Sequence, residues 1–490
     1  MNFFEVVSAH IGLAIAAFLG FLVLGFLAVI LIRTANFRPK KQVVSEVAPV
    51  AVDLDRATDC LAQLVRCKTV SYRDKSKEDD AEFEKLIALL PTLYPNVARV
   101  CELKRFPDRG ILYRWRGKSA AEPAVLMAHY DVVPAEAEAW EKPPFAGILE
   151  NGVLWGRGTL DTKVTMNAAL FAADTLIGEG FVPEHDVYFA FSGGEEINGK
   201  GALHIVEHFA AEGITPYLVL DEGGGVVADV FPGVTKPCGM IGIAEKGMLN
   251  VEYRVRTGGG HASAPKPHTP VGVLSAACCR VEKHPFQRHL TPPVQLMFDA
   301  LGRHSTFLYR MIFANLWCFG WVLDIFCRKN GGDLNAMMRT TVAFTQMQGS
   351  EATNVLPPTA TMVSNSRLNH MDTMESAYAY IKKTVNDESV TVTVLDGMEP
   401  SRISVTDCEA YEKVRRAVEN TWQGALTTPY LMMQCSDSRH WGKISDKVYR
   451  FSAMDLTAAE RATIHGNNER IRVEAIGRAT EFYLRLIKTL

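Results

Sequence analysis

Apolar residues fall along this chain in three rhythms, and each predicts a different kind of structure. The first is an unbroken run. Residues 11–32 carry no charge and are rich in Leu, Ala, Phe, Val and Gly. A run of 22 residues is long enough to cross a bilayer as one helix. The rival reading is a cleaved signal peptide, whose apolar region is normally shorter, follows basic residues and precedes a small-residue cleavage site. Here Glu5 precedes the run and no clear cleavage site follows. The expectation is a single-pass transmembrane anchor and linker over residues 1–43. Arg33, Arg38, Lys40 and Lys41 lie just after the run, which by the positive-inside rule keeps the bulk of the chain cytoplasmic. So short an N-terminus leaves the side of the membrane open.

The second rhythm alternates short apolar runs with helical periodicity. Leu54, Leu61, Leu64 and Val65 recur at helical spacing, and an amphipathic helix over 82–90 stops at Pro91. Residues 111–115, 124–127, 187–191 and 217–220 read as strands, and 164–177 and 200–211 as helices. That alternation predicts parallel strands in an α/β sheet. The third rhythm has period two. It begins at 249–256 and continues through strands at 341–347, 360–368 and 390–395 with a helix at 375–385. Helical periodicity then returns at 411–422 and 470–490, with a strand at 448–451. The division is therefore a catalytic domain in two parts, 44–244 and 398–490, with a smaller α+β domain, 245–397, inserted between them. Inside the insert, 284–335 is a further insertion, and 307–327 is strongly apolar but broken by Arg310, Asn315 and Asp324. Those polar breaks make it a poor membrane span. A buried helix pair or a dimer face is the expectation, because long apolar helices are more often core. The sharper alternatives are a wall for a greasy substrate or a membrane-surface contact.

The length, 490 residues, suits two domains plus extras. A net charge of -3 with no long basic run argues against nucleic acid as a partner. The 10 cysteines are scattered without a C-x-x-C pair, which favours buried free thiols over a disulfide framework or a thiolate metal site.

Candidate chemistry gathers where the predicted strands end, the rim at which open α/β sheets place their ligands. His129 and Asp131 follow one strand, Glu195 and Glu196 another, and Asp221 and Glu222 a third. Asp161 lies among Gly156, Gly158 and Thr159, where the backbone turns tightly. His129 can give one ring nitrogen to a metal while Asp131 holds the other. Adjacent glutamates on extended chain face opposite sides, so one ligates and the other serves as a general base. Any one of these residues alone is more simply a solvated acid or a core histidine. Together at one rim they repel unless cations sit among them, and an N/O donor set without cysteine suits zinc or a similar divalent ion.

His129-x-Asp131, Gly158-x-x-Asp161, Gly194-Glu195-Glu196, Asp221 and His465 resemble the M20 family of co-catalytic dizinc metallopeptidases and aminoacylases. The phrases Leu220-Asp221-Glu222-Gly223-Gly224 and Ile464-His465-Gly466-x-Asn468-Glu469-Arg470-Ile471 resemble its branch of N-fatty-acyl-amino-acid hydrolases and Gly-X carboxypeptidases. The resemblance covers roughly residues 50–490. It implies a dizinc peptidase domain with a mixed, mostly parallel sheet and an inserted lid or dimerisation domain. It implies that His129 and Asp221 bind one zinc, that Glu196 and His465 bind the other, and that Asp161 bridges both; Glu222 is the alternative to Asp221. Glu195 is then the general base, Asp131 orients His129, and His261 stabilises the oxyanion, in dimeric members from the partner subunit. Asn354 and Arg367 resemble the residues that hold the substrate carboxylate. Residues 434–439 stand where many members carry a Thr-Asp pair, so the substrate end departs from the pattern. The implied activity is hydrolysis of an amide next to a free carboxylate, on short peptides or N-acyl amino acids, with a homodimer possible. The competing readings are a deacylase of another N-acyl metabolite and a binding protein that kept the fold and lost catalysis.

Overall fold

The computed structural model describes residues 3–39, 47–228 and 231–490. Lys40, Lys41 and the expected boundary at 43/44 lie outside the described residues. The apolar N-terminal run is one helix, Phe3–Asn36, whose stretch from 10 to 29 is exposed throughout.

The large sheet is mixed. Its strands run in the order Glu102–Phe106, Gly110–Trp115, His185–Ser192, Ser119–His129, Leu218–Asp221, Val448–Arg450, Cys238–Glu245, Leu426–Met432, with Gly225–Val227 paired beside Cys238–Glu245. The middle four, from His185–Ser192 to Val448–Arg450, are mutually parallel. Alternate residues of Ser119–His129 enter different cores. Ala124, Leu126 and Ala128 meet the helices Leu54–Val65, Lys163–Gly178 and Val473–Ile487. Val125 and Met127 meet the helix Gly201–Ala211 and Trp441. Apolar residues on both faces are what a parallel sheet between helix layers requires. The helix Asp80–Leu93 runs past Pro91 rather than stopping there; in a last turn the missing N–H removes a single bond.

The smaller sheet is antiparallel, in the order Thr341–Gln348, Thr359–Leu368, Gly247–Arg256, Val390–Met398. The helices Pro270–Lys283 and Met374–Val385 cover one face of it. The helices Pro292–Gly302, Phe307–Ala314, Leu316–Asn330 and Gly332–Met338 interrupt this unit in sequence but do not pack on its sheet. Their buried residues share a core with Met240, Leu426, Tyr430 and Leu431 at the edge of the large sheet. Nor is the 307–327 stretch a buried pair. Phe307, Leu308, Trp317, Trp321, Ile325 and Phe326 are each more than half exposed. All ten cysteines are free, but only five of them, Cys60, Cys67, Cys101, Cys238 and Cys327, are buried as expected.

The chain crosses between the sheets at Glu245 and Lys246, both fully buried. The Glu245 carboxylate accepts from Ser436 N (3.1 Å), Ser438 Oγ (2.9 Å), Arg439 Nη2 (3.1 Å) and Arg450 Nε (2.7 Å). The Lys246 ammonium donates to the carbonyls of Ala336 (2.7 Å) and Arg339 (2.8 Å). Burial, helped by the nearby Arg367 charge, pulls Lys246 down from 10.5 to about 7. Between those values the unfolded chain binds a proton that the folded chain has lost, so rising pH favours folding. The expected outcome is that the urea midpoint of the wild type gains on that of Lys246→Met as pH rises through this window. Parallel pH profiles would disprove it.

Candidate metal centre

Three adjacent parallel strands end at His129, Ser192 and Asp221, and the cluster is built on those ends. His129 is buried; its Nδ1 donates to the Asp131 carbonyl at 2.9 Å, with the Asp131 carboxylate at 3.4 Å. That contact turns Nε2 toward Asp161 Oδ1 (2.9 Å) and Glu222 Oε1 (3.4 Å). Asp131 has a second task. Its carboxylate accepts the backbone N–H groups of Glu195 (3.1 Å) and Glu196 (3.2 Å) and the Ser71 hydroxyl (2.7 Å). One residue thus orients the imidazole through its carbonyl and, through its carboxylate, holds the turn that carries both glutamates.

That turn, Glu195–Ile197, is 3₁₀ rather than extended. Successive side chains in such a turn diverge by about 120°, so both glutamates reach the cluster, on different sides. Ligating atoms of His129, Glu195 and Glu222 lie within 4.8 Å of one another, as do those of His129, Asp161 and Glu196. Asp161 joins the two histidines: Oδ1 faces His129, and Oδ2 stands 3.1 Å from His465 Nε2. His465 Nε2 is also 3.1 Å from Glu196.

The loops that carry Asp161 and His465 are fastened by a pair that sequence reasoning missed. Glu469 is fully buried, and its Oε1 accepts from the backbone N–H groups of Gly158 (3.0 Å), Leu160 (2.7 Å) and Asp161 (3.3 Å). Its Oε2 accepts from Arg157 Nη1 at 2.7 Å, while Arg157 Nη2 donates to the Gly466 carbonyl at 2.9 Å. The available signal was an arginine set between Gly156 and Gly158, in a loop too tight for an idle charge.

Asp221 and Glu222 part company. Asp221 accepts from Ser438 N at 2.9 Å, and Glu222 takes the place beside His129. The glycines that follow allow this. Gly223, Gly224 and Gly225 have φ of 111°, 71° and 115°, and a Cβ on Gly224 would stand 2.0 Å from the Met240 carbonyl. Ser192 Oγ donates to the buried carboxylate of Asp437.

The cluster is short of positive charge. Burial, with Glu222, Asp437 and Glu196 nearby, pushes the Glu195 carboxyl well above the usual range. Burial and Asp161 push Glu222 up to about 8, and burial with Asp221 and Asp131 lifts Asp437 to about 7. Asp161 and Glu196 hold His465 up near 10. Although burial opposes it, Glu222, Asp131 and Asp161 also hold His129 well above its ordinary value. Imidazolium protons are thus the counter-charge this donor set draws in, and a divalent cation answers the same demand by displacing them. Two imidazoles and several carboxylates with no thiolate are the donors such an ion takes.

The remaining expected residues stand on the smaller unit. Arg367 Nη1 reaches Cys435 Sγ at 3.4 Å, in the loop that also carries Asp437. His261 and Asn354 are exposed neighbours: the Asn354 carbonyl accepts from Ala262 N at 2.9 Å, and His261 Nδ1 accepts from Ser263 N at 3.1 Å. Among the described residues neither has a hydrogen bond or ion pair to the cluster. A cavity of about 450 Å³ beside them, between Gln348 and Thr361, shares no residue with the cluster.

Known proteins share the family and the fold. Peptidase family M20/M25/M40 matches residues 125–489. The chain is 30% identical over 481 residues to a probable carboxypeptidase S-like 2 of Dictyostelium discoideum, covering 95% of this chain and 92% of the relative. It is 32% identical over 489 residues to an N-fatty-acyl-amino acid synthase/hydrolase PM20D1 of Xenopus tropicalis, covering 97% and 94%. Among solved structures, an M20 family metallo-carboxypeptidase of Sulfolobus solfataricus superimposes with a TM-score of 0.67 at 15% identity, covering 88% of this chain and 98% of the other. Human carnosine dipeptidase 1 does so at 0.63 and 15% identity, covering 89% and 96%.

Two outcomes follow from the loop geometry. Glu469→Ala strands Arg157 in the interior and should cost about 3–5 kcal/mol, read by chemical denaturation; it should also lower the divalent metal retained after dialysis. Normal metal content in a folded Glu469→Ala protein would separate the strut from the centre. Gly224→Ala should cost more than about 2 kcal/mol, because strain and overlap combine there.

Proposed function

This chain belongs to peptidase family M20/M25/M40 and is a metallohydrolase of that kind; from that premise we propose that it is a membrane-anchored dizinc hydrolase of amide bonds next to a free carboxylate. The observation that carries the reading is the Asp161 carboxylate, which faces His129 with one oxygen and His465 with the other. In this reading His129 and Glu222 complete one zinc site and Glu196 and His465 the other, with Asp161 common to both. Glu222 takes the role first expected of Asp221, whose carboxylate is engaged by Ser438 N. The long exposed apolar helix at the N-terminus is the anchor, spanning once.

When bound, two zinc ions supply Lewis acidity that eases deprotonation of a water beside the scissile carbonyl. Glu195 takes that proton as the water oxygen bonds to the amide carbon. It later delivers the proton to the nitrogen, so that the C–N bond breaks with a neutral amine leaving. Asp131 keeps the Glu195 turn and the His129 ring in register. Arg367 offers the substrate carboxylate a forked donor at the seam between the two sheets, and Asn354 assists. His261 stabilises the oxyanion from the lid, either by closure or from a second subunit.

The substrate class is either a short peptide cleaved at its C-terminal end or an N-acyl amino acid. The two relatives described above carry one name of each kind. Glu195→Gln should keep its zinc and lose about 10²–10⁴-fold in turnover, the range of a general base, with metal content and hydrolysis measured on one sample. Zinc lost together with activity would make Glu195 a ligand instead. A panel of dipeptides against long-chain N-acyl amino acids decides the class, and no turnover on either despite full zinc would leave another deacylase or a silent binding role.

A further inference from the structure

The helices Phe307–Ala314 and Leu316–Asn330 are apolar on both sides, which water does not favour for a surface helix. Leu323 and Cys327 face the core at the edge of the large sheet, and Gly320 is buried against Arg288. The opposite stripe, Trp317, Trp321 and Ile325 with Val322 and Phe326, faces outward. Phe307, Leu308 and Tyr309 are exposed on the first helix. Contiguous exposure of this kind marks a docking surface, and the fold says what lies against it.

The outer stripe is fixed to the N-terminal helix at one level. Arg33 donates to the Ala314 carbonyl (3.1 Å), and Asn315 Nδ2 donates to Thr34 Oγ1 (3.2 Å) and to the Ile30 carbonyl (3.3 Å). The Phe26 and Trp317 rings meet edge to face at 5.7 Å. Phe37, just beyond that helix, reaches the core beneath the insertion. The exposed apolar part of the N-terminal helix, residues 11–29, is about 28 Å long at 1.5 Å per residue, close to the thickness of a bilayer's hydrocarbon. The contacts with the insertion begin at Phe26, in the last turn of that length. The two insertion helices bend by 114° at Asn315 and are about 12 and 22 Å long, too short to cross. Arg310, Arg328 and Lys329 edge the stripe, as cations do beside phospholipid headgroups.

We propose that residues 307–330 form a shelf that lies in the interfacial layer of the phospholipid leaflet from which the N-terminal helix emerges. Trp317 and Trp321 sit at headgroup depth, where tryptophan is favoured, and the large sheet's Leu426–Met432 edge is turned toward the membrane. This rests on the reading of the N-terminal helix as a transmembrane anchor, and the experiment separates the two. The full chain is reconstituted in phosphatidylcholine and phosphatidylserine vesicles whose phosphatidylcholine is either plain or brominated in the upper acyl chain. Resistance to carbonate extraction reads the anchor. Quenching of tryptophan fluorescence by the brominated lipid reads the shelf.

Two of the seven tryptophans lie on the stripe, so the wild type should lose roughly a quarter of its emission or more to the brominated lipid. Trp317→Phe/Trp321→Phe, a pair of changes that keeps the stripe apolar, should lose almost none. Quenching confined to the wild type supports the shelf whether or not carbonate releases the protein; release would sink only the anchor. Equal quenching in both proteins, or none in a carbonate-resistant wild type, overturns the shelf. In the second case, cross-linked dimers through the stripe would assign it to a second copy. A change in tryptophan emission on adding a long-chain N-acyl amino acid would assign it to substrate.

Discussion

A carboxylate that never meets water organises the metal corner of this protein. Glu469 takes the N–H groups of Gly158, Leu160 and Asp161 on one oxygen and the Arg157 guanidinium on the other. Arg157 in turn holds the Gly466 carbonyl, next to His465. Two loops more than three hundred residues apart in sequence are thereby bound to one buried ion pair. The pair performs no chemistry itself. It sets the separation of Asp161 and His465, which no strand or helix supports directly. Ligands on loops need such bracing, because a small displacement there undoes a site that a rigid element would keep.

Repulsion is the opposing force. Asp161, Glu195, Glu196, Glu222 and Asp437 crowd two imidazoles, and most of these acids are held above their normal range by burial and by one another. Such a cluster has a cost in the folded chain that only positive charge repays. The backbone contributes by taking some acids out of the contest. Ser438 N–H engages Asp221, and the N–H groups of Glu195 and Glu196 engage Asp131. What remains facing the centre is a set of donors in which Asp161 touches both histidines.

Much of this was legible in the chain. The parallel strands announce themselves because both their faces are buried, which writes continuous apolar runs. His129, Glu195 and Glu196 stand out at the ends of such runs and Asp161 stands out among glycines, whereas His465 is picked out only by the family resemblance. Other features left no such trace. The edge strand Glu102–Phe106 is mostly exposed and carries no apolar run, and Leu426–Met432 contains Pro429, which an edge strand tolerates. Asp221 and Glu222 are neighbours of like chemistry, and only the backbone reversal at Gly223–Gly225 and a serine from a distant loop tell them apart. The 307–327 stretch was expected to be core because hydropathy records how apolar a helix is, not what lies beyond its outer face.

The seam between the sheets carries a further consequence. Glu245, at the crossing, holds Ser436 and Ser438. Between those serines stands Asp437, bonded to Ser192 at a strand end of the metal corner, and beside them Cys435 meets Arg367 of the smaller sheet. Four consecutive residues therefore touch the centre, the crossing and the smaller sheet. Thermodynamic reciprocity applies to any such shared segment. Whatever factor a cation at the centre would contribute to the binding of an anion at Arg367, that anion would return to the affinity for the cation.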